Sequence, residues 1–270
     1  MANGLHGVRP AAVAGAFYPG DAGQLAHDVD ALLAHAGDPH VRPKALIVPH
    51  AGYIYSGPIA ASAYAAVAAM RPLPTRVVLL GPSHHVGFKG LALPGVEALA
   101  TPLGLVEVDA ELVERIRHFA FVGESPLAHK REHSLEVQLP FLQRTLGTFT
   151  VLPLVVGLAA PTEVARVLDA VWGGPETLII VSSDLSHYLP FDQARAIDEH
   201  TAERIGALDG TALALEQACG AEPVRGLLVA ARKHHLSARL LDLRNSGETA
   251  GDRMRVVGYG AFAFSPQEPR

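Results

Sequence analysis

The chain has 270 residues, of which 49% are hydrophobic and 18% are charged, and its formal net charge is −5. This composition argues against a disordered chain, and the negative balance gives no reason to expect nucleic acid or an anionic membrane as a partner. The single cysteine, Cys219, excludes an intramolecular disulfide and favours a reducing compartment. We find no signal-peptide pattern and no apolar run near the roughly 20 residues that span a bilayer, and therefore expect a soluble, cytoplasmic protein without membrane contact.

The first half of the chain alternates short apolar runs with helical patterns. Asp21 is placed to cap a first helix, Pro58 fits the first turn of an Ala-rich helix through Met70, and Asp109 can cap a third helix. The strands predicted in this half are residues 45–49, 77–80, 90–94 and 103–109.

The second half continues the alternation. The spacing over residues 132–146 predicts a helix kinked at Pro140, and Gly220 suits the left-handed position just after a helix end. Further helices are predicted over residues 162–172, 192–208, 212–218 and 223–235, and further strands over residues 151–157, 238–243 and 256–264. The alternation predicts an α/β fold, with one domain over residues 1–270 and a central, mainly parallel or mixed sheet flanked by helices.

Three of the buried strands end in side chains that bind metals or move protons. One strand runs into His50, a second ends before His84 and His85, and a third, LIIVSSDLSHY, runs into Asp184 and His187. The carboxyl ends of strands in open α/β sheets are where ligands bind, so these side chains are expected to share one crevice. Adjacent side chains cannot both face one point, and the residues alone leave open which histidine of the second pair is inside.

Each of these residues also has a structural interpretation. His50 alone fits a turn histidine, and a lone Cys219 fits a small buried hydrophobe. Asp184 and His187 are either an acid/base pair or a helix cap beside a surface histidine, and Glu132 either acts in the pocket or favours a helix N-terminus. As a pair, Asp184 should raise the pKa of His187 above roughly 6.5.

Seven blocks of this sequence, covering about residues 9–265 in order, are similar to successive blocks of the Memo family. They are AGAFYPGD (14–21), PHAGYIYSG (49–57), LGPSHHVG (80–87), EHSLEVQLPF (132–141), VSSDLSHY (181–188), ACGAEPVRGLL (218–228) and VGYGAFAF (257–264). Bacterial and archaeal members are often described as system protein B of a set with a radical-SAM protein and an AMMECR-type protein. The resemblance implies these two proteins as partners, with a small molecule or peptide as the ligand of the pocket.

The resemblance also implies a fold like that of the class III extradiol dioxygenases, which are non-haem iron enzymes. By motif, it implies that the metal ligands are His50, His84 and Cys219. It implies that Asp184 and His187 are further pocket residues, and we expect these two to be the catalytic residues that transfer protons. The same blocks place further residues in or near the pocket, namely His85, Tyr53, Glu132 and His133.

A thiolate in place of the dioxygenase carboxylate changes the expected metal chemistry. Thiolate is softer than carboxylate and favours copper(I) or zinc, although iron(II) is still compatible with the site. We therefore expect a metal-dependent redox enzyme that uses iron(II) or copper and resembles a dioxygenase. Two alternatives stay open: a non-catalytic module that binds a ligand or peptide, and a protein that sequesters copper(I).

Overall fold

The apolar runs form the centre of a mixed sheet in the computed structural model, which describes residues 7–37, 39–211 and 213–267. The strands of these ranges are β1 (Val8–Arg9), β2 (Ala45–Val48), β3 (Arg76–Pro82), β4 (Leu91–Leu93), β5 (Ala98–Thr101), β6 (Gly104–Val108), β7 (Val122–Glu124), β8 (Thr150–Val156), β9 (Thr177–Ser182), β10 (His187–Leu189), β11 (Leu236–Asn245) and β12 (Val256–Pro266). The helices are α1 (Ala22–Ala36), α2 (Tyr53–Ala68), α3 (Ala110–Ile116), α4 (Pro126–Lys130), α5 (Leu139–Leu146), α6 (Pro161–Ala170), α7 (Phe191–Gly206), α8 (Ala221–Lys233) and α9 (Ser246–Thr249). None of the helices in the described ranges is long and apolar enough to cross a membrane.

Five neighbouring strands in the middle of the sheet run parallel, in the order β6-β8-β3-β9-β2. Antiparallel strands complete the sheet, with β12 beside β2 and β5 beside β6. The register pairs Leu80 of β3 and Ile47 of β2 with the same residue of β9, Val181. The carboxyl ends of three central strands therefore reach the same edge of the sheet. The predicted α/β fold with a mixed sheet is confirmed.

Both faces of the central sheet are covered, which is why its strands are apolar throughout. Ile47 and Leu80 point to one face, where α3, α6, α7 and α8 pack. Leu46 and Leu79 point to the other face, where α1, α2 and α5 pack. The core therefore consists of two layers of helices with the sheet between them, and the crevice at the strand ends is the place left for a ligand.

The predicted helix caps are confirmed, but one predicted helix start is wrong. Asp21 and Asp109 each accept a hydrogen bond from the backbone N–H three residues on, at 2.9 and 3.0 Å. The second helix begins at Tyr53 after Gly52, so Pro58 lies inside it and not in its first turn. The missing N–H of Pro58 removes one helical hydrogen bond without ending the helix.

Two other local predictions are corrected. Residues 136–138 form a short 3₁₀ turn, after which α5 begins with Pro140 in its first turn, so the proline opens a helix where a kink was predicted. Gly220 has φ −92° and is the N-cap of α8, not a left-handed residue after a helix. A Cβ at this glycine would lie 2.7 Å from Cβ of Ser183, so close packing requires glycine. The predicted helix over residues 212–218 is absent from 213–218, where residues 215–217 form a turn, and residue 212 lies outside the described ranges.

Candidate metal centre

Three neighbouring parallel strands deliver the polar residues of the site. β2 ends two residues before His50, β3 ends two residues before His84, and β9 ends two residues before Asp184. Because these strands are adjacent and in register, their ends open into one pocket of about 560 Å³. A volume of this size suits a small-molecule ligand. The predicted convergence of three polar strand ends is therefore present in the structure.

Three imidazoles meet on the floor of this pocket. His50, His84 and His133 each offer a ring nitrogen, and these nitrogens all lie within 4.8 Å of one another. The ring centroids are 5.2 Å apart for His50 and His84, 5.4 Å for His50 and His133, and 4.6 Å for His84 and His133. Imidazole nitrogen is a common ligand of zinc, copper and iron. The spacing is compatible with a single ion shared by the three rings.

The hydrogen bonds of His50 determine which of its nitrogens is free. The Ser182 hydroxyl donates to the carbonyl of Ser134 at 2.6 Å, so its oxygen is left to accept. It accepts from the Gln138 amide at 2.8 Å and lies 2.9 Å from Nδ1 of His50. Nδ1 is therefore the protonated nitrogen, and Nε2 keeps the lone pair that a metal requires.

A buried carboxylate likewise accepts the Nδ1 proton of His84 and leaves Nε2 free. Glu132 is 1% exposed and accepts from Nδ1 of His84 at 2.8 Å and from its backbone N–H at 2.7 Å. It also accepts from the backbone N–H of Ser134 at 2.9 Å. Carboxylates that hold a metal-binding histidine by its second nitrogen fix the ring and raise its basicity. Glu132 is therefore an orienting residue for His84.

The pKa shifts favour the protonation states that a metal needs. Burial, and then the charges of His84 and His133, lower the pKa of His50 well below its usual range. Burial, followed by the charge of His84, lowers the pKa of His133 to about 4. Burial raises the pKa of Glu132, but the hydrogen bonds and charge of His84 outweigh it and hold the pKa well below its usual range. At neutral pH, His50 and His133 are neutral and Glu132 is ionised, as metal binding requires.

Cys219 lies beside the imidazoles but is not one of the clustered donors. Its Sγ is 3.3 Å from Nε2 of His50 and accepts a hydrogen bond from the backbone N–H of Asp184 at 3.3 Å. Burial, and then the charge of Asp184, raise the pKa of the thiol well above its usual range. The thiol is therefore neutral in the metal-free protein and must lose a proton to bind a metal. Its predicted role as a ligand stays a prediction.

Asp184 and His187 both line the pocket, but their predicted effect on each other is wrong. Asp184 accepts from the backbone N–H of His50 at 2.7 Å, and burial raises its pKa to about 7. Nδ1 of His187 donates to the carbonyl of Leu185 at 2.8 Å, and burial lowers the pKa of His187 where the sequence predicted a rise. Their predicted catalytic roles stay predictions.

Two further sequence-predicted residues lie elsewhere. His85 follows His84 in a bend and is exposed, and its ring lies edge-on to that of His133, with centroids 6.3 Å apart, outside the residues that line the pocket. Tyr53 is buried and donates through its hydroxyl to the carbonyl of Val137 at 2.7 Å. Because α2 begins at Tyr53, helical geometry turns this residue inward and places Tyr55 at the metal pocket.

The walls of the pocket were not predicted from the sequence. Aromatic side chains from four separate segments line it, namely Phe17, Tyr55, Tyr188 and Tyr259, and Arg255 joins them. Phe17 also packs against His133, with ring centroids 4.7 Å apart. All four of these aromatic residues lie in blocks that resemble the Memo family, but an aromatic residue in a block is more often part of a core. Arg255 lies outside those blocks, and no motif distinguishes it.

The donor set fits a transition metal. Neutral imidazoles with an orienting carboxylate and a neighbouring thiol suit zinc, copper or iron, whereas magnesium and calcium prefer oxygen ligands. The residues that would hold the ion are His50, His84 and His133.

Comparisons with known proteins agree with the sequence resemblance. A family model described as Memo-like protein matches residues 9–263. A MEMO1 family protein from Aquifex aeolicus is 38% identical, over 95% of this chain and 99% of that protein. A MEMO1 family protein from Metallosphaera sedula is 36% identical, again over 95% of this chain and 99% of that protein.

A solved structure shows the same fold at much lower sequence similarity. An uncharacterized protein from Escherichia coli K12 matches with a TM-score of 0.50 and 14% identity, over 80% of this chain and 99% of that one. At this identity the likeness concerns the fold alone. The family model and the two relatives, which match nearly the whole length, identify this chain as a member of the Memo family.

Proposed function

We propose that this chain is a metal-dependent redox protein that binds iron(II) or copper with His50, His84 and His133. The observation that carries the proposal is the set of three ring nitrogens within 4.8 Å of one another at the strand ends. When bound, such a metal supplies a redox centre with coordination positions left for a ligand. Zinc would fit the same imidazoles, and elemental analysis separates it from the other two ions.

The chain's own residues have separate tasks in this proposal. Ser182 and Glu132 hold two of the imidazoles by their second nitrogens, so that the other nitrogen faces the pocket. Asp184 and His187 line the same pocket and are placed to hold or move a proton of a bound molecule. The aromatic walls exclude water around the ligand. Binding, orientation and proton handling are thus assigned to different residues.

Metal content of the purified protein tests the proposal. We expect about one iron or copper ion per chain after anaerobic purification, and less than about a tenth of that in His84→Ala, because a missing imidazole removes a ligand. His85→Ala is the matched control, since it changes the adjacent exposed histidine, and should keep the wild-type content. Equal metal content in His84→Ala and His85→Ala, or a wild type without metal, would contradict the proposal and favour a metal-independent binding module.

A second candidate function, the sequestration of copper(I), is favoured by the position of Cys219. Its sulfur lies 3.3 Å from Nε2 of His50, the nitrogen that keeps its lone pair. Soft thiolate ligands select copper(I), whereas imidazoles also suit iron and zinc. We therefore propose that copper(I) recruits Cys219 and that iron(II) relies on His133 as its third imidazole.

A pair of variants separates these two donor sets. Cys219→Ser should weaken copper(I) binding by about tenfold or more and leave iron(II) binding within about threefold, because only copper(I) prefers the thiolate. His133→Ala should weaken iron(II) binding more than copper(I) binding. Competition with chelators of each ion measures both affinities. Equal losses for both ions in Cys219→Ser would make the thiolate a general ligand of the site, as the family resemblance implies.

A further inference from the structure

Arg255 is a cation at the metal pocket without an acidic partner. It directly precedes β12 and lines the pocket that holds the imidazoles. Within the described ranges its guanidinium forms no ion pair, and its contact is with the ring of Tyr188, 5.2 Å from the centroid. A free guanidinium beside a ligand pocket is placed to bind an anionic group.

The contact with Tyr188 leaves the N–H groups of Arg255 available to bind an anion. A guanidinium over an aromatic ring uses its flat face and keeps its five N–H donors in its own plane. Those donors match the two oxygens of a carboxylate, which arginine binds through two parallel hydrogen bonds. The contact with the ring of Tyr188 therefore uses none of the N–H groups that recognise an anion.

The other walls of the pocket indicate the rest of the ligand. Phe17, Tyr55, Tyr188 and Tyr259 line the space next to the imidazoles. Aromatic faces bind flat apolar groups through offset stacking or edge contacts. The volume of about 560 Å³ admits a small molecule and is too small for a folded partner. The ligand body that fits this pocket is planar and small.

The charge balance favours a single negative charge on the ligand. Asp184 and Asp252 line the same pocket as Arg255, so the pocket already contains acidic groups. One guanidinium balances one carboxylate, whereas a phosphate monoester carries nearly two charges at neutral pH. Phosphate sites accordingly use clusters of arginines or several backbone N–H groups.

We propose that Arg255 is a specificity-determining residue that binds the carboxylate of a small planar molecule in the metal pocket. This inference rests on the proposed function, because the end of the ligand opposite the carboxylate would face the imidazoles that hold the metal. It adds the chemical class of the ligand, which the metal site alone does not define.

Arg253 provides a matched control. It is two residues away, carries the same charge and stacks on the ring of Phe191, with its guanidinium 3.7 Å from the centroid. It does not line the metal pocket. Any effect of general surface charge should appear in both arginine variants, whereas an effect on ligand recognition should appear only at position 255.

The experiment compares benzoate with its neutral analogue benzamide and with phenyl phosphate. Ligand-observed NMR titrations measure binding to wild type, Arg255→Gln, Arg255→Lys and Arg253→Gln, each metal-free and metal-loaded, after the metal content has been determined. We expect wild type to bind benzoate about tenfold or more tightly than benzamide and more tightly than phenyl phosphate. Arg255→Gln should abolish the preference for benzoate, Arg255→Lys should keep part of it, and Arg253→Gln should keep all of it.

Several outcomes would overturn the proposal. Equal binding of benzoate and benzamide by wild type, or a preference that survives in Arg255→Gln, would show that Arg255 does not recognise the carboxylate. Tighter binding of phenyl phosphate that depends on Arg255 would replace the carboxylate with a phosphate. Failure to load metal would contradict the proposed function but not this inference. The titrations of the metal-free protein would still show whether Arg255 causes the preference for benzoate over benzamide.

Discussion

Two buried glutamates, Glu132 and Glu136, lie one short turn apart and are each 1% exposed, yet they interact with different parts of the molecule. Glu132 accepts two hydrogen bonds from His84 and so orients a histidine of the candidate metal centre. Glu136 accepts from Arg9 at 2.6 Å and from Tyr18 at 2.5 Å, and so binds the N-terminal segment to the core. Although both glutamates are equally buried, Glu132 thus orients a histidine of the candidate metal centre, whereas Glu136 stabilises the fold.

The difference lies in the partner of each carboxylate. Arg9 is charged at every relevant pH, and its pair with Glu136 is a permanent buried ion pair with two further hydrogen bonds from backbone N–H groups. The partner of Glu132 is an imidazole, whose second nitrogen is left to bind a metal. Burial alone therefore does not identify a functional carboxylate, whereas the chemistry of its partner does. Changing each glutamate in turn should separate stability from metal affinity.

The largest effect is expected for Glu136→Gln. Losing the carboxylate leaves the charge of Arg9 buried without its counterion, which should lower the free energy of unfolding by about 3–5 kcal/mol. Chemical denaturation measures the change. Glu114→Gln, which removes an exposed partner of Arg117, is the control and should cost less than about 1 kcal/mol. A loss in Glu136→Gln no larger than in this control would mean that the buried pair does not stabilise the fold.

Glu132→Gln should chiefly affect metal binding. A glutamine amide cannot match the carboxylate that orients His84, so metal affinity should fall about 10–100-fold. Competition with a chelator measures this affinity, and Glu136→Gln, tested below its unfolding transition, should retain the wild-type value. Similar affinities for wild type and Glu132→Gln would remove this glutamate from the metal centre and make it a structural residue like Glu136.

A third buried carboxylate, Asp198, sharpens the comparison because no cation pairs with it in the described part of the chain. It accepts from the backbone N–H of Ser186 at 3.0 Å, and burial raises its pKa from 3.8 to about 6. The folded protein therefore binds the proton more tightly than the unfolded chain, and stability falls as the pH rises from about 4 to 6. This difference in pKa corresponds to roughly 3 kcal/mol of unfolding free energy, which is present below about pH 4 and is lost as the pH rises through about 6.

Asp198→Asn should remove that part of the pH dependence. Asparagine stays neutral and still accepts from Ser186, so the variant should be more stable than wild type at pH 7 by about 1–2 kcal/mol. Its stability should change less than that of wild type between pH 4 and 6. Unfolding curves at several pH values measure both quantities. A variant that is less stable than wild type at pH 7 would show that the charged form of Asp198 is favoured in the fold.

Much of the fold follows from local patterns in the sequence. The apolar runs at Val77–Leu80 and Leu178–Val181 are continuous because both faces of the sheet are covered, and that continuity predicts central strands. The caps at Asp21 and Asp109 are local hydrogen bonds and were predicted correctly. The roles of Pro58, Pro140 and Gly220 were wrong, because neighbouring segments decide whether a proline opens or interrupts a helix and whether a glycine is needed for close packing.

From strand and helix patterns, the site was predictable only where its residues lie at strand ends, whereas Glu132 and His133 were implied as pocket residues by the family resemblance alone. His50 and His84 follow β2 and β3 directly, so the topology of an α/β fold brings them together. His133 comes from a loop after α4, and its contact with the other two imidazoles depends on tertiary packing that no spacing predicts. The same holds for Arg255, because its proposed role follows only from the pocket beside it and from the lack of an ion-pair partner in the described part of the chain.

The central claim is that His50, His84 and His133 share one metal ion. Anomalous diffraction at the absorption edge of the bound metal, from crystals of the metal-loaded protein, tests it most directly. We expect a single strong peak about 2.0–2.2 Å from a ring nitrogen of each of the three histidines. A peak away from these rings, or crystals that show the imidazoles without any metal peak after loading, would contradict it.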